Sequence, residues 1–297
     1  MNINNLFNEK KVVFSFEVFP PKQESNIDTI YNTLEELKDL NPDFISVTYG
    51  AGGSKSNNIT CEIAQVIKNK YKIEPLAHLT CINSNKNQID LTLKELKDKG
   101  IENILALRGD IPEDYDGNGE FKYSTDLINY IRKTNNFNIV GACYPEGHLE
   151  SNSYEEDILN LRKKQEMGAT HLISQLFFDN NYFYDFLEKK EKYGIHLPIQ
   201  AGIMPVINTK QINRIVSLCG AKLPNKFKKI MDKYEYNKEA LRDAGIAYAT
   251  EQIIDLISSG VDGIHLYTMN NVYVAKRINN SIISVINTIN NYENVIN

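Results

Sequence analysis

The chain has 297 residues, of which 42% are hydrophobic and 24% are charged, as in an ordinary globular protein long enough for one α/β barrel. Its formal net charge of −5 provides no basic surface for nucleic acid, so DNA and RNA are excluded as partners. Residues 1–11 are polar and Asn-rich, and no apolar run is long enough for a signal peptide or a membrane span, so we expect a cytoplasmic protein.

Short apolar runs alternate with longer amphipathic stretches along the whole chain, which predicts βα units and a parallel sheet. The predicted strands, in chain order, are 12–19, 44–49, 75–81, 102–108, 138–144, 171–178, 198–204 and 263–269. Eight parallel strands are the number that closes a TIM barrel. We therefore predict a (β/α)₈ TIM barrel that forms a single domain over residues 1–297.

Amphipathic stretches between these strands predict helices at 26–40, 57–70, 86–99, 124–134, 153–167, 180–193, 208–218, 224–259 as a pair, and 271–292. Gly100, Gly168, Gly194 and Gly260 each follow a helical pattern and precede a strand, as is typical of residues that end helices. Residues 220–240 interrupt the seventh connection and predict an extra helix there.

The first predicted strand separates its side chains into two faces. Phe14, Phe16 and Val18 suit packing under helices, whereas Ser15 and Glu17 face the barrel lumen. Glu17 then lies near the carboxyl end of the strand, where barrels place active sites. Because burial raises the pKa of a carboxyl group, we interpret Glu17 as a general acid. The alternative is a lumen ion pair with Arg or Lys.

Polar residues at other predicted strand ends converge on the same mouth of the barrel: Ser46, Thr48, His78, Thr80, Arg108, Asp110 and Gln175. After the fourth strand, Gly109 permits a tight turn between Arg108 and Asp110. Arg108 is suited to a phosphate or a cofactor carbonyl, and Asp110 to a developing cation. The alternative is an ion pair between Arg108 and Asp110.

Asp157, Asn160 and Lys164 share one face of the predicted helix 153–167, with Lys163 beside them. Without further information, this pattern is typical of a solvated helix face. His78 alone is likewise typical of a hydrogen-bonded lumen histidine, and the five histidines lack metal-ligand spacing, so no metal site is expected. The glycine-rich residues 50–53 could approach a ligand closely, but they lack a GxGxxG or GxxxxGK pattern and therefore indicate only a loop.

The four cysteines lie far apart in the sequence and form no CxxC pair. We interpret them as reduced thiols in the core. From the residues alone, we predict an α/β barrel with an acid, an Arg–Asp turn and several amides at its mouth. Such a site is typical of an enzyme that acts on a polar ligand.

Taken in order, the strand ends resemble those of the methylenetetrahydrofolate reductase family. The motifs that carry the resemblance are Phe16-Glu17-Val18-Phe19-Pro20-Pro21, Ser46-Val47-Thr48-Tyr49-Gly50, His78-Leu79-Thr80-Cys81, Leu107-Arg108-Gly109-Asp110, Tyr144-Pro145-Glu146, Gln175-Leu176-Phe177-Phe178-Asp179, Gly202-Ile203-Met204-Pro205 and His265-Leu266-Tyr267-Thr268-Met269-Asn270. They span residues 12–275 approximately, and eight ordered motifs on eight strands are highly specific.

The resemblance implies non-covalent FAD and a two-step reaction: NADH or NADPH reduces the flavin and leaves, and 5,10-methylenetetrahydrofolate then takes the hydride to become 5-methyltetrahydrofolate. It implies that Glu17 is the general acid and that Asp110 stabilises the folate cation. The FAD-binding positions that it implies are Thr48, His78, Arg108, Gly109, Asp110, Tyr123, Ser124, Tyr144, His148, Asp157, Asn160, Lys163 and Lys164. The implied folate-binding positions are Gln175, Gln211 and Tyr267.

Two positions depart from the family pattern. Ile215 stands where bacterial members have a Phe that packs on folate or nicotinamide, and Asn271 stands where some have an Arg near the folate tail. Two alternatives stay open: a flavin- and folate-binding subunit that receives electrons from a partner protein, and a non-flavin lyase or hydrolase with Glu17 as base. The resemblance implies the catalytic barrel without a C-terminal regulatory domain, and we expect a homo-oligomer.

Overall fold

The computed structural model describes residues 1–21, 26–49, 54–111, 117 and 119–291, although the side chains of residues 54–58 and 210–211 lie outside the described part. Its eight strands are β1 (Val13–Val18), β2 (Phe44–Val47), β3 (Glu74–Thr80), β4 (Asn103–Leu107), β5 (Asn138–Cys143), β6 (His171–Ser174), β7 (Ile199–Ile203) and β8 (Gly263–Tyr267). They pair in parallel in chain order, and β8 pairs with β1, which closes the barrel. The predicted TIM barrel is confirmed.

The α-helices are α1 (Leu6–Glu9), α2 (Asp28–Leu37), α3 (Ser54–Asn69), α4 (Lys86–Asp98), α5 (Ser124–Thr134), α6 (Tyr154–Met167), α7 (Asn180–Lys192), α8 (Thr209–Cys219), α9 (Asn225–Tyr234), α10 (Lys238–Ser258) and α11 (Val272–Asn291). Short 3₁₀ helices cover Ile3–Asn5 and Lys38–Leu40. The seventh connection holds three helices, α8 to α10, which confirms the predicted extra helix. None of the helices in the described ranges has the length and apolarity that a membrane crossing requires.

The four glycines expected at helix ends all adopt the left-handed conformation, with φ values of 73° at Gly100, 111° at Gly168, 70° at Gly194 and 85° at Gly260. Residues with a Cβ rarely adopt this conformation. The glycines therefore end α4, α6, α7 and α10 as predicted and turn the chain toward the next strand.

Strand β6 ends four residues earlier than its apolar run predicts. The Phe177 carbonyl accepts a hydrogen bond from Gln252 Nε2 at 3.0 Å, and the Phe178 carbonyl accepts one from Tyr248 Oη at 2.6 Å. These carbonyls therefore bond to side chains of α10 instead of continuing the sheet ladder. The apolar run is buried, as a strand would be, but under a helix.

The two faces of β1 are as predicted. Phe14, Phe16 and Val18 belong to the large apolar cluster between the sheet and the helices, together with Leu34 of α2. Burial of such side chains stabilises the fold by about 1.5–3 kcal/mol each. This packing directs the alternate residues of β1, Ser15 and Glu17, into the lumen.

A second apolar cluster fills the amino-terminal end of the lumen. Ile3 and Leu6 enter it from the N-terminal segment and are 0% and 5% exposed. The strand side chains around them are Val13, Phe44, Leu76, Leu105, Val140 and Ile173. The Asn-rich composition of residues 1–11 hides this packing in the sequence, because only a few apolar side chains make it: Ile3, Leu6 and the partly buried Phe7.

Candidate active site

Glu17 lies near the carboxyl end of β1 with its side chain in the upper lumen, where 18% of it is exposed. Its Oε2 atom is 3.5 Å from His78 Nε2 of β3 and 3.6 Å from His265 Nε2 of β8. Within the described part of the chain, the residues that pair with Glu17 are these two histidines. The alternative of an ion pair with Arg or Lys is therefore wrong.

The pKa of Glu17 is shifted in the direction opposite to our expectation. Burial alone would raise it, but the interactions with His265, His78 and Ser46 together hold the pKa of this carboxyl group below its usual value. Sequence analysis indicated the burial of Glu17 and placed His78 at the same mouth, but it did not pair Glu17 with His78 or assign His265 to the site. In the free chain, Glu17 is consequently ionised at neutral pH.

His265 connects Glu17 to a buried polar network deeper in the lumen. Its Nδ1 atom is 2.7 Å from Ser15 Oγ, and its Nε2 atom is 3.3 Å from Ser46 Oγ. Gln200 Nε2 of β7 donates to Ser15 Oγ at 2.9 Å. Sequence analysis placed Ser15 and Ser46 inward but did not assign His265 or Gln200 to the site, although the alternation along β7 and β8 contained that signal.

His78 differs from His265 in its hydrogen bonding. Its Nε2 atom is buried and has no hydrogen-bond partner within the described residues. Burial lowers the pKa of His78 to about 4, against the opposing effect of Glu17. The imidazole is therefore neutral at pH 7. The interpretation of His78 as a satisfied lumen histidine is wrong for this atom.

A cavity of about 380 Å³ opens beside the mouth, between the ends of β4 and β5 and the helices α5 and α6. This volume lies within the range of about 300–1,000 Å³ that is typical of small-molecule sites. Nine of the thirteen positions that the resemblance implies for FAD line it: Arg108, Tyr123, Ser124, Tyr144, His148, Asp157, Asn160, Lys163 and Lys164. The structure thus brings these predicted residues together in one place.

The remaining four positions lie outside this cavity. Thr48 directly follows β2 and is partly buried, and His78 contacts Glu17. Gly109 has a φ of 88°, which supports the tight turn predicted there. Asp110 follows it and is exposed, close enough for its charge to act on Arg108 and Tyr144.

Arg108 does not form the ion pair with Asp110 that we considered as an alternative. Its guanidinium binds the Glu150 carboxylate through two contacts, at 2.5 Å from Nη1 and 2.7 Å from Nη2. The turn at Gly109 directs Asp110 outward, whereas the connection between β5 and α6 brings Glu150 to the arginine. Sequence analysis missed Glu150, because its position depends on a loop.

The face of α6 that contains Asp157 and Lys164 is not a solvated face. Lys164 Nζ donates to the Ala142 carbonyl at 2.6 Å, and Asp157 Oδ2 accepts from the His148 backbone N–H at 3.2 Å. Burial lowers the pKa of Lys164 and raises that of Asp157. The alternative of a solvated face is therefore wrong for these two residues, although Lys163 is exposed.

Two residues that the resemblance implies for folate binding lie at the ends of β6 and β8. Tyr267, the last residue of β8, donates from Oη to the Ser174 carbonyl at 2.7 Å. Gln175 is partly buried, and its Oε1 accepts from the Leu176 N–H at 2.9 Å. The side chain of Gln211 on α8 and the glycine-rich residues 50–53 lie outside the described residues.

The two positions that depart from the family have defined surroundings. Ile215 of α8 packs against an apolar cluster that includes Phe227 and Met231. Asn271 precedes α11, and its Oδ1 accepts from the Val274 N–H at 3.2 Å. Three of the four cysteines are buried free thiols, and Cys219 is partly buried, in broad agreement with the prediction.

Comparison with known proteins places this geometry in a family. The family model described as methylenetetrahydrofolate reductase matches residues 2–283. A methylenetetrahydrofolate reductase (NADH) 1 from Arabidopsis thaliana is 36% identical over 283 residues, which cover 90% of this chain and 48% of that protein. A 5,10-methylenetetrahydrofolate reductase from Escherichia coli (strain K12) is 34% identical over 257 residues, which cover 86% of each chain.

The chain spans about half the length of the plant and fission-yeast relatives that it matches. Among solved structures, an uncharacterized protein from Clostridium thermocellum that binds two copies of 5-methyl-5,6,7,8-tetrahydrofolic acid covers 95% of this chain. It superposes with a TM-score of 0.65 at 14% identity, so this likeness shows the fold alone. The family model and the bacterial relatives confirm the resemblance: the chain belongs to the methylenetetrahydrofolate reductase family.

Proposed function

We propose that this chain reduces 5,10-methylenetetrahydrofolate to 5-methyltetrahydrofolate, with FAD as its cofactor and NADH or NADPH as the reductant in a ping-pong reaction. The observation that carries the proposal is the cavity beside the barrel mouth, which is lined by nine residues at the family's FAD positions. Family membership supports the substrate, and the plant relatives that are named for NADH support that nucleotide as the reductant.

The residues of the cavity fit FAD. Arg108, Lys163 and Lys164 provide positive charge for a diphosphate, and Tyr144 provides an aromatic surface. Ser124 and Thr125, the first residues of α5, line the cavity, and the amino-terminal end of a helix favours a bound anion. The unpartnered His78 Nε2 at the mouth provides a further polar contact.

When bound, the flavin supplies hydride transfer, and the residues of the chain supply the acid–base and electrostatic chemistry. Opening of the folate five-membered ring needs a proton on the departing nitrogen, and Glu17 is positioned to deliver it. The substrate would cover the exposed 18% of the Glu17 side chain, which raises the pKa of the carboxyl group.

Ring opening leaves a cation on the folate, which then accepts the hydride at its methylene carbon. The carboxylate of Asp110 stabilises this positive charge. Gln175, Gln211 and Tyr267 bind the folate, and the amide groups of the two glutamines match the donors and acceptors of a pterin edge. Each of these roles belongs to a side chain near the carboxyl ends of the strands or on α8.

The test is anaerobic absorbance spectroscopy of the purified protein. We expect a yellow protein whose flavin is bleached by NADH without a second protein and regains its colour when methylenetetrahydrofolate is added. Bleaching that required a partner protein would favour the partner-dependent alternative. A colourless protein that cannot bind added FAD would overturn the proposal.

A pair of variants on α6 tests whether the cavity is the flavin site. Lys164→Met removes a cavity cation, and we expect the FAD dissociation constant to rise by roughly tenfold. Arg162→Met is the control, because Arg162 is 53% exposed and pairs with Glu166 on the outer face of the helix. Equal loss of FAD in both variants would place the flavin elsewhere.

A further inference from the structure

The Arg108–Glu150 pair at the cavity rim joins a fixed residue to one on a surface loop. Arg108 directly follows β4, its side chain is 20% exposed, and its Nε donates to the Gly109 carbonyl at 3.2 Å. Glu150 lies between β5 and α6, in the 144–153 loop, and its side chain is 53% exposed. The carboxylate therefore covers the arginine from the solvent side.

We propose that Glu150 occupies the place of a cofactor phosphate: it holds the Arg108 guanidinium in the free chain and releases it to a phosphate oxygen when FAD binds. This inference rests on the proposed function. Glu150 is thus an exchangeable partner of Arg108, and it neutralises the guanidinium until the cofactor binds.

The energetics favour such an exchange. The Glu150 side chain is 53% exposed, so water solvates its carboxylate when the pair separates, and this limits the free energy that separation costs. A phosphate offers the guanidinium the same two-point geometry that the Glu150 carboxylate occupies in the free chain. Arg108 holds the pKa of Glu150 below its usual value, so the carboxylate is ionised at neutral pH. One anion therefore replaces another.

The other acidic side chains of the cavity have different partners. Glu156 Oε2 accepts from Asn152 Nδ2 at 2.8 Å, and Asp157 Oδ2 accepts from the His148 backbone N–H at 3.2 Å. Among the described cavity residues, Glu150 alone has a hydrogen bond to Arg108. Glu156 is thus a matched control, with the same charge in the same cavity but a different partner.

The experiment measures FAD binding to the flavin-free chain by flavin fluorescence. We expect Glu150→Gln to tighten FAD binding by roughly threefold to tenfold, the size of a weak ion pair that no longer has to be broken. Glu156→Gln should change the dissociation constant by less than about twofold. Riboflavin, which has no phosphate, should bind Glu150→Gln and the unmodified chain equally.

A second background tests whether the effect passes through the arginine. In Arg108→Met, the added Glu150→Gln substitution should give no gain in FAD affinity, because no guanidinium remains to be released. A gain that persists in that background, an equal gain for Glu156→Gln or for riboflavin, or an unchanged or weaker FAD affinity in Glu150→Gln would each overturn the exchange. Failure of the unmodified chain to bind FAD would overturn the proposed function as well, which distinguishes the two.

Discussion

The two ends of the barrel lumen are built by the same alternation of side chains but differ in chemistry. At the amino-terminal end, Ile3 and Leu6 seal an apolar cluster from which water is excluded. At the carboxyl-terminal end, His78 and His265 each place Nε2 within 4 Å of Glu17 Oε2. This comparison shows that alternation along a strand determines which side chains enter the lumen. Their position along the strand then determines whether they join the apolar cluster or lie at the mouth, where barrels place active sites.

The largest effect on a reaction rate is expected at the carboxyl-terminal end of the lumen, from Glu17→Gln. Glutamine keeps the size of the side chain but cannot deliver a proton, so reoxidation of the reduced flavin by methylenetetrahydrofolate should slow by about a hundredfold or more. Reduction by the nicotinamide needs no folate proton and should stay near normal. Stopped-flow absorbance, run separately for each half-reaction, measures both rates.

The control for this variant is Glu166→Gln on the outer face of α6, where the carboxylate is 53% exposed and pairs with Arg162. It should leave both half-reactions unchanged. If folate reoxidation in Glu17→Gln stayed within a few-fold of the unmodified chain, Glu17 would be a structural carboxylate.

Mutations at the amino-terminal end of the lumen should change the stability of the fold and not the reaction rates. Leu6→Ala removes a side chain that is 5% exposed and leaves a cavity in the seal, so we expect a loss of about 2–5 kcal/mol in the free energy of unfolding. Both half-reactions of the folded protein should be unaffected. Urea unfolding of Leu6→Ala and of Leu91→Ala, whose side chain is 61% exposed, makes the comparison.

His171 is a titratable residue at the otherwise apolar amino-terminal end of the lumen, and it makes the stability of the fold depend on pH. Its ring lies 4.8 Å from that of Phe7, and burial lowers its pKa to about 3, with a smaller effect from His265. The unfolded chain takes up a proton near pH 6.5, whereas the folded chain does not, so stability falls as the pH drops from about 6.5 toward 3. At pH 5, the loss from this residue amounts to about 2 kcal/mol.

Replacement of His171 by Leu removes this titration. The difference in unfolding free energy between pH 7 and pH 5 should shrink by about 2 kcal/mol in that variant. His196→Leu is the control, because this histidine is 72% exposed and should leave the pH dependence almost unchanged. Urea unfolding at the two pH values measures the shift, and an unchanged pH dependence in His171→Leu would contradict the assignment.

The fold was predictable from local pattern, because the strands are apolar runs and the helices α4, α6, α7 and α10 end at glycines. The lumen positions of Ser15 and Glu17 followed from the same alternation. The pKa direction of Glu17 could not be predicted, since it depends on His78 and His265, which lie 61 and 248 residues away along the chain. Alternation along a strand indicates that these histidines face the lumen, but it does not indicate that they contact Glu17.

The cavity also contains a contact that could not be predicted from the sequence. The resemblance supplied Arg108 and Lys164 as residues that belong together, and the fold brings them to one cavity. The partner of Arg108 is on the 144–153 loop, where neither helix nor strand periodicity constrains a side chain. Glu150 therefore required the structure.

The smallest effect is expected from Asp110→Asn, which tests whether charge outside the lumen also acts on the folate. Asp110 is exposed, and water screens its field, so we expect folate reoxidation to slow by about tenfold, less than for Glu17→Gln. Reduction by the nicotinamide should slow much less, because only the folate step develops a cation. The same two stopped-flow measurements apply, with Asp232→Asn, an exposed carboxylate of α9, as the control. Equal slowing of both half-reactions would indicate damage to the flavin site, and the turn at Gly109 would then count as a structural part of that site.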